Sequence, residues 1–100
     1  MIVIRDVFRL KFGKAREALG AFRDVGQYAT RAGMDPNSMR VLTDLVGTYY
    51  TLVLETTAAD LAAYEQQARK AMGDPDWRKL YEKFIPHVES GYREIFNIVQ

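Results

Sequence analysis

Residues 39–55 read MRVLTDLVGTYYTLVLE and contain two runs of β-forming residues, one on each side of Gly47. The runs cover residues 39–46 and 49–56, so almost no chain lies between them. A crossover between parallel strands needs about a dozen residues or more, so two strands this close must be antiparallel. The stretch therefore predicts a β-hairpin that turns at Gly47.

The hydrophobic patterns outside this hairpin give its place in the fold. Residues 2–10 alternate as a strand does, and residues 14–32 carry apolar side chains at helical spacing. The Thr-Ala-Ala-Asp sequence at 57–60 resembles the start of a second helix, and Asp74-Pro75 the start of a short third one. A last strand follows at residues 92–99. The order is β-α-β-β-α-β with an extra short helix before the last strand, which predicts an α+β, ferredoxin-like fold with a four-stranded antiparallel sheet.

The composition is that of a small chain with little net charge. It has 100 residues, 48% of them hydrophobic, and a formal net charge of +1. We expect one domain over residues 1–100, with neither nucleic acid nor an acidic membrane as a partner. There is no cysteine, and no apolar run approaches the ~20 residues that span a bilayer. Charged residues near the start argue against a signal peptide, so we expect a cytoplasmic protein.

Strand alternation predicts a sheet that is apolar on both faces. The face expected under the helices carries Ile2, Ile4, Phe8, Val41, Leu45, Leu52, Leu54, Phe96 and Ile98. The second face carries Val3, Val7, Leu42, Tyr49, Val53, Ile95 and Val99, mixed with Arg5, Arg9, Arg40, Asp44, Glu55, Arg93 and Asn97. An antiparallel sheet with one face in water usually has a more polar second face. We therefore predict a two-fold homodimer in which the second faces pack together. Asp6 and Glu94 fall on the helix side in this assignment and need partners there.

Several short motifs are similar to those of a known family. They are the opening strand with Arg5, Lys11-Phe12-Gly13-Lys14, the hairpin run from Val41 to Gly47, Leu52-Val53-Leu54-Glu55, Asp74-Pro75-Asp76-Trp77 and Arg93-Glu94-Ile95-Phe96. With these motifs the chain resembles the NIPSNAP-like proteins of the dimeric α+β barrel superfamily. The resemblance implies a ferredoxin-like protomer and a barrel formed by two sheets. It does not imply one activity. The superfamily includes cofactor-free monooxygenases, haem-degrading enzymes, lactone isomerases, haem peroxidases and proteins without a known reaction, and most NIPSNAP-like members belong to the last group.

The arginines of the second face are the main candidates for ligand binding. The full set is Arg5, Arg9, Arg40, Arg93 and Asn97, with Asp44 and Glu55 as expected counter-ions. Two interpretations stay open. The charges either form ion pairs across strands and subunits, or they form a pocket in which arginine holds a carboxylate, phenolate or enolate. Four arginines against two carboxylates favour an anionic ligand if all six are buried together.

Proton transfer, if the protein performs any, has three candidates: His87, Tyr49 and Glu55. His87 is the only histidine and follows Pro86 near the expected mouth of the barrel. It is either an ordinary loop residue or a general base or haem ligand. Tyr49 either packs or donates a proton. The sequence has no histidine pair, thiolate or phosphate-binding glycine motif, so we expect no metal and no cofactor.

Two functions are compatible with these residues. The first is a NIPSNAP-like module for small-molecule binding or assembly, without a reaction of its own. The second is a cofactor-independent enzyme, similar to a monooxygenase or isomerase, that acts on a small aromatic or enolisable compound. In it, Arg5 or Arg93 would stabilise a developing oxyanion while His87, Tyr49 or Glu55 moves a proton. The first is favoured because no matched acid and base can be placed in one pocket.

Overall fold

The computed structural model describes residues 1–100 and contains one antiparallel sheet of four strands. The strands are β1 (Ile2–Leu10), β2 (Met39–Thr43), β3 (Thr51–Ala58) and β4 (Val88–Asn97), and the α-helices are α1 (Ala15–Arg31), α2 (Leu61–Met72) and α3 (Pro75–Phe84). The strand order across the sheet is β2-β3-β1-β4. This is the ferredoxin-like arrangement, so the predicted fold class is confirmed, including the extra short helix before the last strand.

The hydrophobic core lies between α1, α3 and one face of the sheet. Leu10 and Leu52 on the strands pack against Phe22 of α1 and Phe84 of α3, and all four are almost completely buried. The rings of Phe22 and Phe84 meet edge to face, with their centroids 4.3 Å apart. The molecule is only 20 Å thick along its shortest axis. This thickness fits two layers, one of helices and one sheet, with nothing on the other side of the sheet.

The hairpin has a wider turn than the sequence predicts. Strand β2 ends at Thr43 and β3 begins at Thr51, so the loop covers residues 44–50 instead of a tight turn at Gly47. The Asp44 carboxylate accepts a hydrogen bond from the Thr51 backbone N–H at 2.9 Å, and the Thr51 hydroxyl donates to the Thr48 carbonyl at 2.7 Å. These two hydrogen bonds stabilise the conformation of the loop. Tyr50 has a left-handed backbone with φ of 59°, which a strand cannot continue through.

Two of the three predicted helix starts are confirmed and one is wrong. Helix α1 covers the predicted stretch, and α3 begins with Asp74 as N-cap and Pro75 in the first turn. Helix α2 begins later than predicted. Thr57 still belongs to β3, and Asp60 is the N-cap, its carboxylate accepting the Ala63 N–H at 2.8 Å. An aspartate here can satisfy the helix start alone, so the chain before it remains in the sheet.

The register of β4 corrects the predicted faces of that strand. In the structure Val3 pairs with Phe96 and Asp6 pairs with Arg93. Paired residues share a face, so Arg93, Ile95 and Asn97 lie on the helix side, and Phe96 lies on the other. The prediction was wrong because apolar residues occupy both sets of alternating positions in this strand. Gly91 favours the observed register, because a Cβ at this position would lie 3.1 Å from the Phe8 ring, which crosses it.

The face opposite the helices is called the open face below. Its members are Val3, Arg5, Val7 and Arg9 of β1, Arg40 and Leu42 of β2, Thr51, Val53, Glu55 and Thr57 of β3, and Ser90, Tyr92, Glu94 and Phe96 of β4. Of the residues predicted for it, Asp44 and Tyr49 lie in the loop and Val99 lies beyond β4. On the helix side, Leu45 likewise belongs to the loop and Ile98 lies beyond the strand. Asp6 is on the helix side as predicted, whereas Glu94 is on the open face.

One partly buried hydrogen bond joins α1 to the start of α3. The Tyr28 hydroxyl donates to the carboxylate of Asp74, which also accepts the Asp76 N–H at 2.9 Å. This bond and the burial of the ring raise the pKa of Tyr28 to about 12. The same hydroxyl, followed by the Asp76 N–H, lowers the pKa of Asp74 from its ordinary 3.8. The neutral tyrosine and the charged aspartate are therefore the forms that stabilise the fold.

We expect Tyr28→Phe to lower the free energy of unfolding at neutral pH and to flatten its pH dependence. The Asp74 contribution is present above its ordinary pKa of 3.8 and is lost as the pH falls through the lowered value. The Tyr28 contribution is present below pH 10 and is lost as the pH rises through about 12. Urea unfolding from below pH 3.8 to about pH 12 measures the acid limb and the alkaline limb of this pH dependence.

Tyr81→Phe is the matched control, because the Tyr81 hydroxyl in α3 makes no hydrogen bond. It should leave both limbs as they are in the unaltered protein. Equal effects of the two substitutions would contradict a role for the Tyr28–Asp74 bond.

Candidate functional site

An ionic network lies across the open face, and Glu55 is at its centre. One Glu55 oxygen accepts from Arg40, with Nε at 2.7 Å and Nη2 at 2.5 Å. The other Glu55 oxygen lies 3.4 Å from Nε of Arg5. The Glu55 side chain is only 13% exposed, although Arg40 on the edge strand is largely in solvent. Because both of its oxygens face guanidinium groups, Glu55 is held as an ion-pair partner and is poorly placed to act as a base.

The remaining charges of the open face are more loosely paired. Glu94 lies cross-strand from Arg5, at 3.9 Å from Nη1. Arg9 has no carboxylate within 4 Å. The Nε atoms of Arg5 and Arg9 are both buried and neither has a hydrogen-bond acceptor. The paired positions of the open face thus carry three arginines and two glutamates, with Arg9 unpaired.

Arg93 and Asn97, which were predicted to join this group, lie on the helix side. Arg93 Nε donates to the Asp6 carboxylate at 2.6 Å, and its guanidinium lies 5.5 Å from the centre of the Tyr64 ring. This bond raises the pKa of Arg93 further above its usual range, whereas burial raises the pKa of Tyr64. Asp6 therefore has its counter-ion, and the predicted cluster of four arginines divides into three on one face and one on the other.

The three proton-transfer candidates are not assembled into one site. His87 is half-buried in the short turn just before β4; its backbone carbonyl accepts the Lys11 N–H at 2.8 Å, and its ring makes no hydrogen bond. Tyr49 is exposed in the loop, with its ring centroid 6.5 Å from that of Phe12. No hydrogen bond or ion pair joins either residue to Glu55. Neither an acid–base pair nor a charge relay is formed.

A cleft of about 180 Å³ lies on the helix side, between α1 and the β2–β3 edge of the sheet. Its apolar lining consists of Phe22, Val25, Ala29, Met39, Val41 and Leu54. Gly26 leaves its wall open, because a Cβ built there would meet no atom within 4 Å. Arg40 is the only ionisable residue beside it, and its guanidinium is bound to Glu55 on the open face. The cleft suits a small apolar or aromatic molecule.

Solved structures with the same fold cover nearly the whole chain. An uncharacterised NIPSNAP domain protein from Burkholderia xenovorans is 20% identical, with a TM-score of 0.82 over 99% of this chain and 95% of its own. A NIPSNAP family protein of unknown function from Agrobacterium tumefaciens is 18% identical, with a TM-score of 0.84 over 96% and 86%. A mutant of SnoaB, a cofactor-independent oxygenase from Streptomyces nogalater, is 14% identical, with a TM-score of 0.70 over 99% and 93%.

The chain has the fold of these NIPSNAP proteins. The expected structural resemblance is thereby confirmed, and it extends to an oxygenase of the same architecture. No protein-family model and no curated protein matches the sequence. None of the helices is long and apolar enough to cross a membrane. No group of three or more histidine, aspartate or glutamate side chains is arranged to hold a metal ion.

Two features of the site have only a faint signal in the sequence. The Asp6–Arg93 pair joins residues 87 positions apart, and only the β1–β4 register brings them together. The cleft depends on Gly26. From the helical pattern alone, this glycine is either simply tolerated in the helix or marks a place where the helix packs closely against the sheet. The one signal in the sequence that could have suggested this pair is the opposite charge of Asp6 in the first strand and Arg93 in the last.

We expect Glu55→Gln to destabilise the protein by about 1–3 kcal/mol, because it removes the charge that faces two guanidinium groups in a largely buried position. Urea unfolding at pH 7 measures the loss. Glu94→Gln is the control on the same face, since Glu94 is more exposed and lies 3.9 Å from its nearest arginine nitrogen. Its effect should be under about 1 kcal/mol. A larger loss for Glu94→Gln than for Glu55→Gln would place the centre of the network elsewhere.

Proposed function

We propose that the chain is a NIPSNAP-like, cytoplasmic protein that works as a homodimer and binds a small apolar or aromatic molecule without a reaction of its own. The observation that carries this proposal is the open face. Six apolar or aromatic side chains lie on it: Val3, Val7, Leu42, Val53, Tyr92 and Phe96. Tyr92 and Phe96 are 58% and 49% exposed, and no element of the chain covers them. A second copy is the simplest cover.

The charges of the open face also favour a copy of the same chain. Arginines and glutamates are interspersed with the apolar groups, so the surface carries both signs of charge. A two-fold interface must be complementary to itself, and a face with mixed charges meets this requirement better than one with a single sign.

The size of the open face is sufficient for a specific dimer. The four strands contain nine, five, eight and ten residues. At roughly 3.4 Å per residue and 4.8 Å between strands, the sheet covers about 500 Å². Two such faces bury about 1,000 Å² together, which reaches the lower end of specific interfaces.

The cleft between α1 and the β2–β3 edge is the proposed ligand site. Its lining is apolar, and the only cation beside it is engaged elsewhere. A neutral aromatic or aliphatic molecule fits this environment better than a charged one, because a charge there would lose its water without gaining a partner. The separation of His87, Tyr49 and Glu55 supports binding over acid–base catalysis.

The second candidate is a cofactor-independent enzyme acting on an aromatic or enolisable compound. The shared fold with SnoaB and the apolar cleft favour it. In this function the compound would have to be activated with little help from the protein, because no ionisable group other than Arg40 lines the cleft.

We expect the protein to be a dimer at micromolar concentration, with about twice the protomer mass of 11.5 kDa. The double substitution Tyr92→Lys and Phe96→Lys should give a folded monomer, because two more positive charges on each copy would be buried beside Arg5 and Arg9 without partners. Size-exclusion chromatography with light scattering measures the mass, and circular dichroism checks folding.

Met72→Lys is the control, since Met72 is also exposed but lies on α2, on the opposite side of the sheet. This variant should remain a dimer. A monomeric unaltered protein would overturn the proposed assembly.

We expect Gly26→Leu to block the cleft while leaving the fold intact. Leucine fills the space that glycine leaves open, and it is the better helix former by about 0.8 kcal/mol. Binding of the fluorescent aromatic alcohol naphthol should be lost in this variant. Gly20→Leu is the matched control: Gly20 lies in the same helix, also has no atom within 4 Å of a built Cβ, and does not line the cleft.

The same experiment separates the two candidate functions. Oxygen uptake is recorded in parallel, and none is expected on addition of naphthol. Uptake that Gly26→Leu abolishes and Gly20→Leu retains would replace the binding module by the enzyme. Equal naphthol binding by both variants would remove the cleft from either function.

A further inference from the structure

The paired positions of the open face carry more positive than negative charge. Arg5, Arg9 and Arg40 stand there against Glu55 and Glu94, and Glu89 occupies the register shift opposite Arg9 and Leu10, where it forms no ion pair. Asp44, expected as a further counter-ion, lies in the loop, where it accepts the Thr51 N–H and makes no ion pair. One arginine of the open face nevertheless has no carboxylate within 4 Å.

Arg9 is that arginine. Glu55 lies between Arg40 and Arg5, and Glu94 is nearest to Arg5. Nε of Arg9 is removed from solvent and has no hydrogen-bond acceptor. Its two cross-strand neighbours on the open face are Thr51 and Ser90. The Thr51 hydroxyl donates to a loop carbonyl, but the Ser90 hydroxyl makes no hydrogen bond within the protein.

Covering the open face with a second copy makes the unpaired positive charge of Arg9 more costly. A charge moved from water into a protein interior is strongly destabilised unless it is paired. Arg9 has no ion-pair partner within its own protomer, so the closed dimer would bury two arginines that lack a carboxylate of their own subunit. An anion is the component that would balance them.

We propose that the dimer binds an oxyanion, a carboxylate or phosphate group, at Arg9 on the covered open face, and that this binding strengthens the dimer. Arg9 presents a planar set of donors that matches two oxygens of such a group, and the hydroxyl of Ser90 lies on the neighbouring strand to donate another bond. The site is separate from the apolar cleft, which lies on the other side of the sheet. It rests on the proposed homodimer, since the charge is covered only when two copies meet.

The test compares the thermal stability of the unaltered dimer in sodium phosphate, acetate and chloride at equal ionic strength. With the anion at about 10 mM and in excess of its dissociation constant, we expect phosphate or acetate to raise the Tm by about 4 °C or more over chloride. The anion with the larger effect identifies whether a phosphate or a carboxylate is preferred. An equal Tm in all three salts would overturn the proposal, because screening alone does not distinguish them.

Arg9→Met separates a binding role from a structural one. It removes the charge and keeps much of the apolar stem, so its Tm in chloride should be higher than that of the unaltered protein, and phosphate or acetate should no longer raise it. A lower Tm in chloride with the anion effect retained would overturn the proposal. Arg23→Met on the exposed side of α1 is the control and should keep the full anion effect.

A second variant covers the case in which Arg9→Met does not fold. Arg9→Lys keeps the charge but loses the planar donors, and it should need about tenfold more anion for the same rise in Tm. An unchanged requirement would overturn the site. Light scattering separates this proposal from the assembly: a dimer without any anion effect rejects the oxyanion site alone, whereas a monomer in every salt rejects the dimer and the site together.

Discussion

Strand β1 is hydrogen-bonded on both sides, and the position of nearly every other residue follows from this pairing. It pairs with β3 over eight residues and with β4 over nine, antiparallel in both cases. Side chains alternate along a strand, so the register of β1 determines which residues of its neighbours share a face. A shift of one residue would move Phe8 and Leu10 out of the core and would bring Arg5 and Arg9 under the helices.

The same pairing places apolar residues of β1 under the helices, where they stabilise the fold. It also leaves apolar and charged residues uncovered on the open face. Ile4 and Leu10 are buried beneath the helices, where Phe22 and Phe84 complete the core. Asp6 is the one charged residue of β1 on that side, and Arg93 pairs with it from the next strand. The remaining positions of β1 place two arginines among valines on the open face. Hydrophobic burial therefore favours a cover for that face, whereas the charge of Arg9 becomes costly once the face is covered.

The sequence was sufficient for the element order and for much of the sheet. The hairpin at residues 39–56, the helix over 14–32 and the Asp74-Pro75 start have strong local signals, because alternation, helical spacing and capping act over a few residues. The faces of β1 and β3 were also predictable, since Phe8 and Leu10 alternate with Arg9 in β1, and Leu52 and Leu54 alternate with Val53 and Glu55 in β3. The faces of β4 were not, because Tyr92, Ile95 and Phe96 place apolar groups on both sides. There, long-range pairing with Asp6 and the ring of Phe8 over Gly91 determine the register.

The wrong face assignment for β4 also explains why the candidate site in the structure differs from the one that the sequence predicts. With Arg93 and Asn97 on the open face, the sequence suggested a large basic pocket in which four arginines act on one substrate. In the structure one of these arginines neutralises Asp6 beneath Tyr64, and the others are spread over a surface whose only unpaired cation is Arg9. The apolar cleft lies on the opposite side of the sheet and shares only Arg40 with this group. The sheet separates a substrate in the cleft from Arg5 and Arg9, and the guanidinium of Arg40 is bound to Glu55, so these arginines are poorly placed to stabilise an oxyanion that forms in the cleft. Catalysis there would have to use the intrinsic reactivity of the bound compound, whereas binding requires only the apolar lining that is present.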